Sequence, residues 1–333
     1  MVVLVFGMQA AQSILVPILL AAFVSILAVA PMNWMESKGV PHWASVTVIA
    51  LVLLIVAMLG FLLVGASINQ FSEQIPFYQR RLDEALGALL GRIESERFPT
   101  TVEELLDTVE PGAAMRFTAS LLSGLGSLFA NAFLILFAVV FMLLEAPHLS
   151  AKIRAVTGRP GAGTDAFVRF VGDLQRFLLI KTLVSVATGL AVGLWTAFLG
   201  LDFPLIWGLL AFALNYVPTI GSIIASIPAI LLGFIQFGLG RAALVALGYL
   251  VINQILGTLI EPRIVGRRVG LSTLVVLLAL IFWGWVFGPI GMLLSVPLTM
   301  TLKLGLQASR RTRWVATLLG DTVPATGIPA ARP

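Results

Sequence analysis

Long apolar stretches separated by short polar segments run along most of this chain. A helix of roughly 20 apolar residues can cross the hydrocarbon core of a bilayer. The pattern therefore predicts an all-α, polytopic membrane protein. Two stretches, residues 205–237 and 272–306, are interrupted near their middle by Pro and Gly. Each half is too short to span a bilayer comfortably, so each interrupted stretch is predicted to form a helical hairpin.

The first residues are apolar but lack the basic region that begins a secretory signal peptide. One helix over residues 2–30 would be about 43 Å long, whereas the hydrocarbon core is about 30 Å thick. Two arrangements fit: a long helix kinked at Pro17, or a truncated first span followed by a second span from Ile14. We favour the second arrangement.

Between two apolar regions lies an acidic segment in which Phe71, Ile75, Tyr78 and Leu82 recur at helical spacing. Pro99 and Thr100, with Glu103 following, predict a second helix start. This segment is interpreted as a solvated or subunit-packing helical pair, with direct substrate binding as the alternative. The predicted organisation is N-terminal membrane helices (1–68), a small acidic amphipathic helical extramembrane domain (69–116), a transport membrane domain (117–306) containing both hairpins, and a basic cytoplasmic tail (307–333).

Composition supports a lipid environment. Hydrophobic residues make up 59% of the chain and charged residues only 11%, against about 25% in soluble domains. The chain has no cysteine, which excludes disulfides and thiol chemistry. The net charge of +5 comes with basic residues at segment ends, which indicates membrane orientation and not nucleic-acid binding.

The positive-inside rule places residues 146–181, 263–268 and 303–313 in the cytoplasm, and with them the C-terminus. Counting spans between these segments gives two hairpins that open toward opposite faces of the membrane. Such an arrangement is typical of transporters that bind substrate near the midplane. The sequence leaves open whether the hairpins are full-depth or re-entrant.

An enzyme is not indicated. The two histidines, His42 and His148, lie far apart, and the sequence contains no metal-ligand spacing, nucleophile motif or P-loop. Catalytic residues, a metal and a cofactor are therefore not predicted. Without an ATP site, any transport is passive or secondary.

The break in the first hairpin has an energetic cost. A Pro inside a helix costs about 3 kcal/mol, and unpaired backbone groups in lipid cost several kcal/mol each. Such a break persists only where it is buried in protein or lines a wet cavity. It is either a structural hairpin tip or part of a substrate pathway, and mid-span amides either join helices or line that pathway. The candidate pathway residues are Asn215, Pro218, Thr219, Gly221, Asn253 and Gln254.

The second hairpin is broken at Gly288, Pro289 and Gly291. Before it, Glu261 ends a span at the predicted cytoplasmic edge. Glu261 with Arg263, or with one of the arginines after it, forms an interfacial ion pair or, as the sharper alternative, a gate. No Asp or Glu falls at a predicted midplane, which favours a neutral polar substrate over an ion.

Long runs carry a family resemblance: WGLLAFALNYVPTIGS (207–222), EPRIVGRRVGLSTLVV (261–276), FWGW (282–285) and GPIGMLLSVPLT (288–299). They resemble the autoinducer-2 exporter family of bacterial inner-membrane transporters. The resemblance implies export of a small quorum-sensing molecule, about eight membrane segments and a homo-oligomer. Some relatives are regarded as sodium/proton antiporters, so family membership alone does not fix the substrate.

The leading hypothesis is a passive or secondary exporter of autoinducer-2 or a similar small neutral polar molecule. The alternative is a monovalent cation/proton antiporter, and a third possibility is a membrane scaffold that binds partners through its acidic domain. For the exporter we expect that Asn215→Ala or Gly221→Leu lowers efflux and leaves assembly intact.

Overall fold

The fold comes from a computed structural model that describes residues 2–93, 119–120, 123–124, 131–157, 162–218, 220–265, 271–308 and 312–320. In these residues all regular elements are helices. Within these described ranges six helices are long and apolar enough to cross a membrane, and the helices Ala132–Pro147 and Pro204–Leu214 are shorter apolar ones. The predicted all-α, polytopic class is confirmed.

In chain order the helices are α1 (Val2–Ala10), α2 (Gln12–Ser37), α3 (His42–Ile93), α4 (Ala132–Thr157), α5 (Ala162–Phe198), α6 (Pro204–Leu214), α7 (Ile220–Phe237), α8 (Leu239–Asn253), a π-helical segment (Gln254–Ile260), α9 (Glu261–Val265), α10 (Thr273–Leu293), α11 (Ser295–Ala308) and α12 (Arg313–Leu318). Their contacts divide the chain into two compact units. Unit 1 holds Met1–Thr47, Phe137–Thr182 and Glu261–Pro333, and unit 2 holds Val48–Leu136 and Leu183–Ile260.

In unit 1, α1 and α2 pack against α10. Val16 contributes to a buried apolar cluster with Val286 and Phe287. The N-terminal helices are separated at Ala11 and not at Pro17, which lies buried inside α2. The break thus falls close to the start of the second span that the sequence favours, at Gln12 instead of Ile14.

The long helix α3 has 52 residues, which corresponds to about 78 Å. It continues without interruption from the apolar span His42–Ser67 into the amphipathic segment and includes Pro76. Beyond the span, Phe71 and Tyr78 are almost fully buried in the core of unit 2. The extension therefore packs on the membrane helices along this face. The second helix start predicted near Pro99 lies outside the described residues.

The core of unit 2 depends on backbone contact between α5 and α6. A Cβ atom added to Gly189 would lie 2.7 Å from the carbonyl oxygen of Gly208, and one added to Gly208 would lie 2.7 Å from that of Gly189. Gly193 lies against the same glycine of α6. The small-xxx-small spacing of α5 is thus used for close helix contact.

The first hairpin consists of α6 and α7, joined by a short non-helical break. With 11 residues, α6 is about 16 Å long, which is too short to cross a hydrocarbon core of about 30 Å. The first arm of this hairpin therefore does not reach full depth, a point that the sequence leaves open. The second arm, α7, is apolar and long enough to be a span.

Both interrupted helices contain a glycine pressed against a carbonyl group. A Cβ on Gly221 would lie 1.8 Å from the carbonyl oxygen of Leu214 in unit 2. A Cβ on Gly291 would lie 1.9 Å from that of Trp283 in unit 1. In the second break Gly288 has φ 66° and ψ −153°, a conformation open essentially to glycine alone. Each break thus requires residues without a side chain.

Gly208→Ala tests the contact between α5 and α6. We expect it to lower the free energy of unfolding by about 1–3 kcal/mol, because the added methyl group overpacks two helix backbones. Thermal unfolding of the purified protein in detergent measures this. The matched control is Gly240→Ala in α8, where a Cβ meets nothing within 4 Å and helix propensity improves. Equal stability of the two variants would refute the proposed contact.

Candidate functional site

A buried amide lies at the first break and joins it to α5. Asn215, at the end of α6, is 6% exposed, and its Nδ2 donates a hydrogen bond to Oγ of Ser185 on α5 at 2.9 Å. Within the break the N–H of Val217 donates to the carbonyl of Leu214 at 2.9 Å, and the N–H of Gly221 to that of Val217 at 3.2 Å. The interruption is therefore buried in protein, with neutral hydrogen-bonding groups around it.

The other pathway candidates lie in different environments. Pro218 is half-buried and Gly221 is buried, whereas Thr219 lies outside the described residues. Asn253 is half-buried at the end of α8, and Gln254 is exposed. The structure thus brings Asn215, Pro218 and Gly221 together in one hairpin. Asn253 and Gln254 lie on the neighbouring helix.

Gly221 is fixed by packing, which changes the expected effect of Gly221→Leu. The added side chain would collide with the carbonyl group of Leu214. We therefore expect Gly221→Leu to disturb assembly, and Asn215 is the better position for testing transport.

A π-helical segment, Gln254–Ile260, begins directly after Asn253. A Cβ on Gly257 would lie 3.0 Å from Oδ1 of Asn253, so the asparagine side chain folds along its own helix. Short π-helical insertions are rare and often occur at functional sites. This segment ends at Glu261, the first residue of α9.

Glu261 pairs with Lys181 and not with Arg263. The Lys181 Nζ lies 2.8 Å from Oε1 and 2.9 Å from Oε2 of Glu261, so the ammonium contacts both carboxylate oxygens. Arg263 is two residues further along the helix, where its side chain points to another face, and it is exposed. Helix geometry therefore explains why the predicted Glu261–Arg263 pair does not form.

The sequence does not predict Lys181 as the partner of Glu261, because its position at the end of the basic segment 146–181 places it in the predicted cytoplasmic region. In the structure it is 5% exposed and lies well inside the apolar helix Phe170–Phe198. A charge inside a membrane helix is costly and requires a partner. A sequence feature that indicates a buried lysine is the apolar run 177–180 before it, together with the long apolar stretch after it.

The second break is held by aromatic packing within unit 1. Trp283 stacks on Phe287 with ring centroids 5.7 Å apart, and its Nε1 donates to Oγ1 of Thr299 at 3.0 Å. Gly288 is half-buried, Pro289 is exposed and Gly291 is buried. Gly288, Pro289 and Gly291 shape the second hairpin, and a Cβ on Gly288 would lie 3.4 Å from Nε2 of Gln12.

A polar cluster around Asp202, which we call the Asp202 cluster, joins three helices of unit 2. The Tyr78 hydroxyl donates to Oδ2 of Asp202 at 2.8 Å, and Nε2 of Gln236 donates to the same oxygen. The Trp207 Nε1 donates to the Asp202 carbonyl oxygen at 2.8 Å. The cluster fastens the α3 extension to the turn between α5 and α6.

Burial of the Tyr78 ring, together with its hydrogen bond to Asp202, raises the pKa of this hydroxyl far above its usual value of about 10. Tyr78 is therefore a neutral donor throughout the physiological pH range. The hydrogen bond that it gives to Asp202 persists over that range.

Metal binding has no support in the described part of the chain, where no group of three His, Cys, Asp or Glu residues could hold an ion.

A family model described as "AI-2E family transporter" matches residues 1–311. The chain belongs to the AI-2E transporter family. It is 38% identical to the AI-2 transport protein TqsA of Escherichia coli (strain K12) over 96% of this chain and 93% of that protein. A putative transport protein of Haemophilus influenzae is 36% identical, covering 96% of this chain and 94% of that protein. YrrI of Bacillus subtilis, a putative transport protein, is 26% identical over 88% of this chain and 86% of that protein.

As a member of the AI-2E family, the chain is a multi-pass membrane transporter that carries a small molecule. The family match confirms the resemblance noted in the sequence. It also confirms that the chain is not an enzyme, because the family consists of transport proteins.

Neutralising one partner of the Lys181–Glu261 pair should destabilise this AI-2E transporter. We expect Lys181→Met or Glu261→Gln to lower the free energy of unfolding by about 3–5 kcal/mol. The first variant leaves the Glu261 carboxylate without its cation, and the second leaves the buried Lys181 ammonium without its anion. The double variant should lose less than the sum of the single losses. Thermal unfolding in detergent measures all three.

The control for this cycle is Arg263→Gln, which should change stability by less than about 0.5 kcal/mol because Arg263 is exposed. If Arg263→Gln were as damaging as Glu261→Gln, the assignment of Lys181 as the partner would be wrong.

Asp202→Ala should loosen the α3 extension, because Tyr78 and Gln236 lose their shared acceptor. We expect amide hydrogen exchange at residues 71–80 to rise about tenfold, the effect of one to two lost hydrogen bonds. Glu73→Ala, on the exposed face of the same helix, is the control and should leave exchange unchanged. Unaltered exchange in Asp202→Ala would show that apolar packing alone holds the extension.

Proposed function

We propose that this transporter exports autoinducer-2 or a similar small neutral polar molecule by a passive or secondary mechanism. Membership of the AI-2E family and the 38% identity to a protein named for AI-2 transport support the proposal. A polar solute that crosses the membrane leaves water, so its polar groups need hydrogen-bonding partners on the helices that it passes.

The observation that carries the proposal is the first break. It combines an interrupted helix inside an apolar hairpin with the buried Asn215 amide bonded to Ser185. Neutral amide and hydroxyl groups can exchange hydrogen bonds with a neutral polar solute without moving net charge through the membrane. We propose that the pathway passes Asn215, Pro218, Thr219 and Gly221 of the hairpin and Asn253 and Gln254 of the adjoining helix.

We propose that Glu261 acts as a gate residue, with Lys181 as its partner. Glu261 comes directly after the π-helical segment, and such segments often occur at functional sites. The breaks at Gly288, Pro289 and Gly291 would give the second hairpin its own hinge.

We propose a location in the bacterial inner membrane with a cytoplasmic C-terminus, which the distribution of basic residues supports. The domain limits proposed from sequence are kept: 1–68, 69–116, 117–306 and 307–333. A homo-oligomer is proposed from the family resemblance. Almost none of the span His42–Ser67 is buried within one chain, so this apolar surface is open to lipid or another subunit.

Reconstituted vesicles test the proposed function. We expect the full chain to move labelled autoinducer-2 down its concentration gradient, with and without imposed sodium or proton gradients. Asn215→Ala should lower the flux about tenfold, the effect of one lost hydrogen bond to the solute. Sodium-driven proton movement without autoinducer-2 flux would instead favour a cation/proton antiporter.

The matched control is Ser185→Ala, which removes the same internal hydrogen bond but keeps the Asn215 amide. We expect the two variants to unfold at similar temperatures while Ser185→Ala keeps most of its flux. Equal flux loss in both would mean that Asn215 has only a structural part in the hairpin.

A further inference from the structure

Tyr249 on α8 is buried in the core of unit 2, yet its hydroxyl has no hydrogen-bond partner in the part of the chain that the structure describes. Its side chain is 5% exposed and belongs to the same buried cluster as Ala225 and Ala229 of α7. Among the described residues nothing hydrogen-bonds to the hydroxyl oxygen. Buried polar groups are nearly always paired, so this orphan requires an explanation.

Its own helix cannot satisfy this hydroxyl. Buried threonines of unit 2 donate to the carbonyl group four residues earlier, as Thr188 and Thr196 do at 2.9 Å. A tyrosine hydroxyl is held too far from its backbone for such a bond, so it depends on another element or a ligand. The nearby Trp195 indole is already engaged, because its Nε1 donates to the Leu244 carbonyl at 3.1 Å.

The helix opposite Tyr249 presents small residues. Helices α7 and α8 are antiparallel neighbours, and a Cβ on Gly233 would lie 3.2 Å from Cγ2 of Val245. One turn further from their connection, Tyr249 comes level with Ala229. Alanine leaves more room beside the phenol ring than a longer apolar side chain would.

The same face of α8 continues toward the proposed pathway. Asn253 lies one turn beyond Tyr249 and is half-buried, so both polar groups share a face. Leu247 and Leu250 on the other side of α8 are more than half exposed. Tyr249 is also about 15 Å from the start of the apolar helix Leu239–Ile264, well inside this candidate span.

We propose that the Tyr249 hydroxyl is a solute contact that recognises a hydroxyl group of a small neutral solute in the pathway. The inference rests on the proposed function for the identity of the pathway. A neutral phenol can both donate and accept a hydrogen bond, which matches an alcohol group, whereas an apolar molecule gains no hydrogen bond from it. The unpaired hydroxyl is unfavourable in the absence of solute, and solute binding would supply its missing hydrogen bond.

The test uses the purified full chain and the variant Tyr249→Phe, which removes one oxygen and keeps the ring. Thermal unfolding is followed with no solute, with autoinducer-2 and with ribose as a second hydroxylated probe. We expect Tyr249→Phe to unfold at the same or a higher temperature without solute, because an unpaired buried group is removed. Its half-saturating solute concentration should rise about tenfold, the effect of one lost hydrogen bond.

The matched control is Tyr78→Phe, which removes a hydroxyl that is paired with Asp202. It should unfold at a lower temperature and keep the wild-type response to solute. If Tyr249→Phe instead unfolds earlier and responds to solute like the wild type, its hydroxyl has a structural partner and the inference is overturned.

The two proposals fail in different ways. A wild-type response to autoinducer-2 that is unchanged in Tyr249→Phe refutes only the Tyr249 contact. A response to ribose that depends on Tyr249, with no response to autoinducer-2, supports the contact and refutes autoinducer-2 as the solute. No response to either probe refutes both.

Discussion

In the core of a bilayer every backbone N–H and C=O group must find a partner within the protein. At the first break part of this demand is met by turn hydrogen bonds, from the N–H of Val217 to the Leu214 carbonyl and from the N–H of Gly221 to the Val217 carbonyl. Both breaks also bring two stretches of backbone into close contact. Gly221 lies against the Leu214 carbonyl and Gly291 against the Trp283 carbonyl, at distances where any side chain would collide. The break in each helix can exist because the chain turns back and covers it.

The polar groups of the apolar helices differ in how fully they are paired. Asn215 has Ser185, and Lys181 has Glu261, so these groups are satisfied at rest. Tyr249 is not. Paired groups stabilise the resting structure and must exchange partners to act on a solute, whereas an unpaired group already has its hydrogen bond available. A solute gains less by binding to groups that are already paired, because each new hydrogen bond then replaces one within the protein.

The turn between α5 and α6 shows how strain is tolerated near such a pathway. Phe203 begins α6 with φ 59° and ψ 45°, a left-handed conformation that is unfavourable for a bulky residue. Its ring packs edge-on to Phe71 of the α3 extension at 5.7 Å between centroids. The neighbouring Asp202 binds α3, α6 and α7 at once. The extension of α3 is thus part of what holds the first hairpin in position.

The sequence alone determined the membrane class, the transport family and the positions of both breaks, whereas the need for glycine at the breaks is visible only in the structure. The first three features depend on composition, local periodicity and the intrinsic limits of Pro and Gly, all of which are read from neighbouring residues. The tertiary structure decided the partners: Lys181 for Glu261, Ser185 for Asn215, Asp202 for Tyr78, and for Tyr249 none within the described ranges. Pairing joins residues as many as 124 positions apart, and it depends on which helix faces meet. One sequence with its local patterns does not specify those faces, because many helix packings bury the same apolar surface equally well.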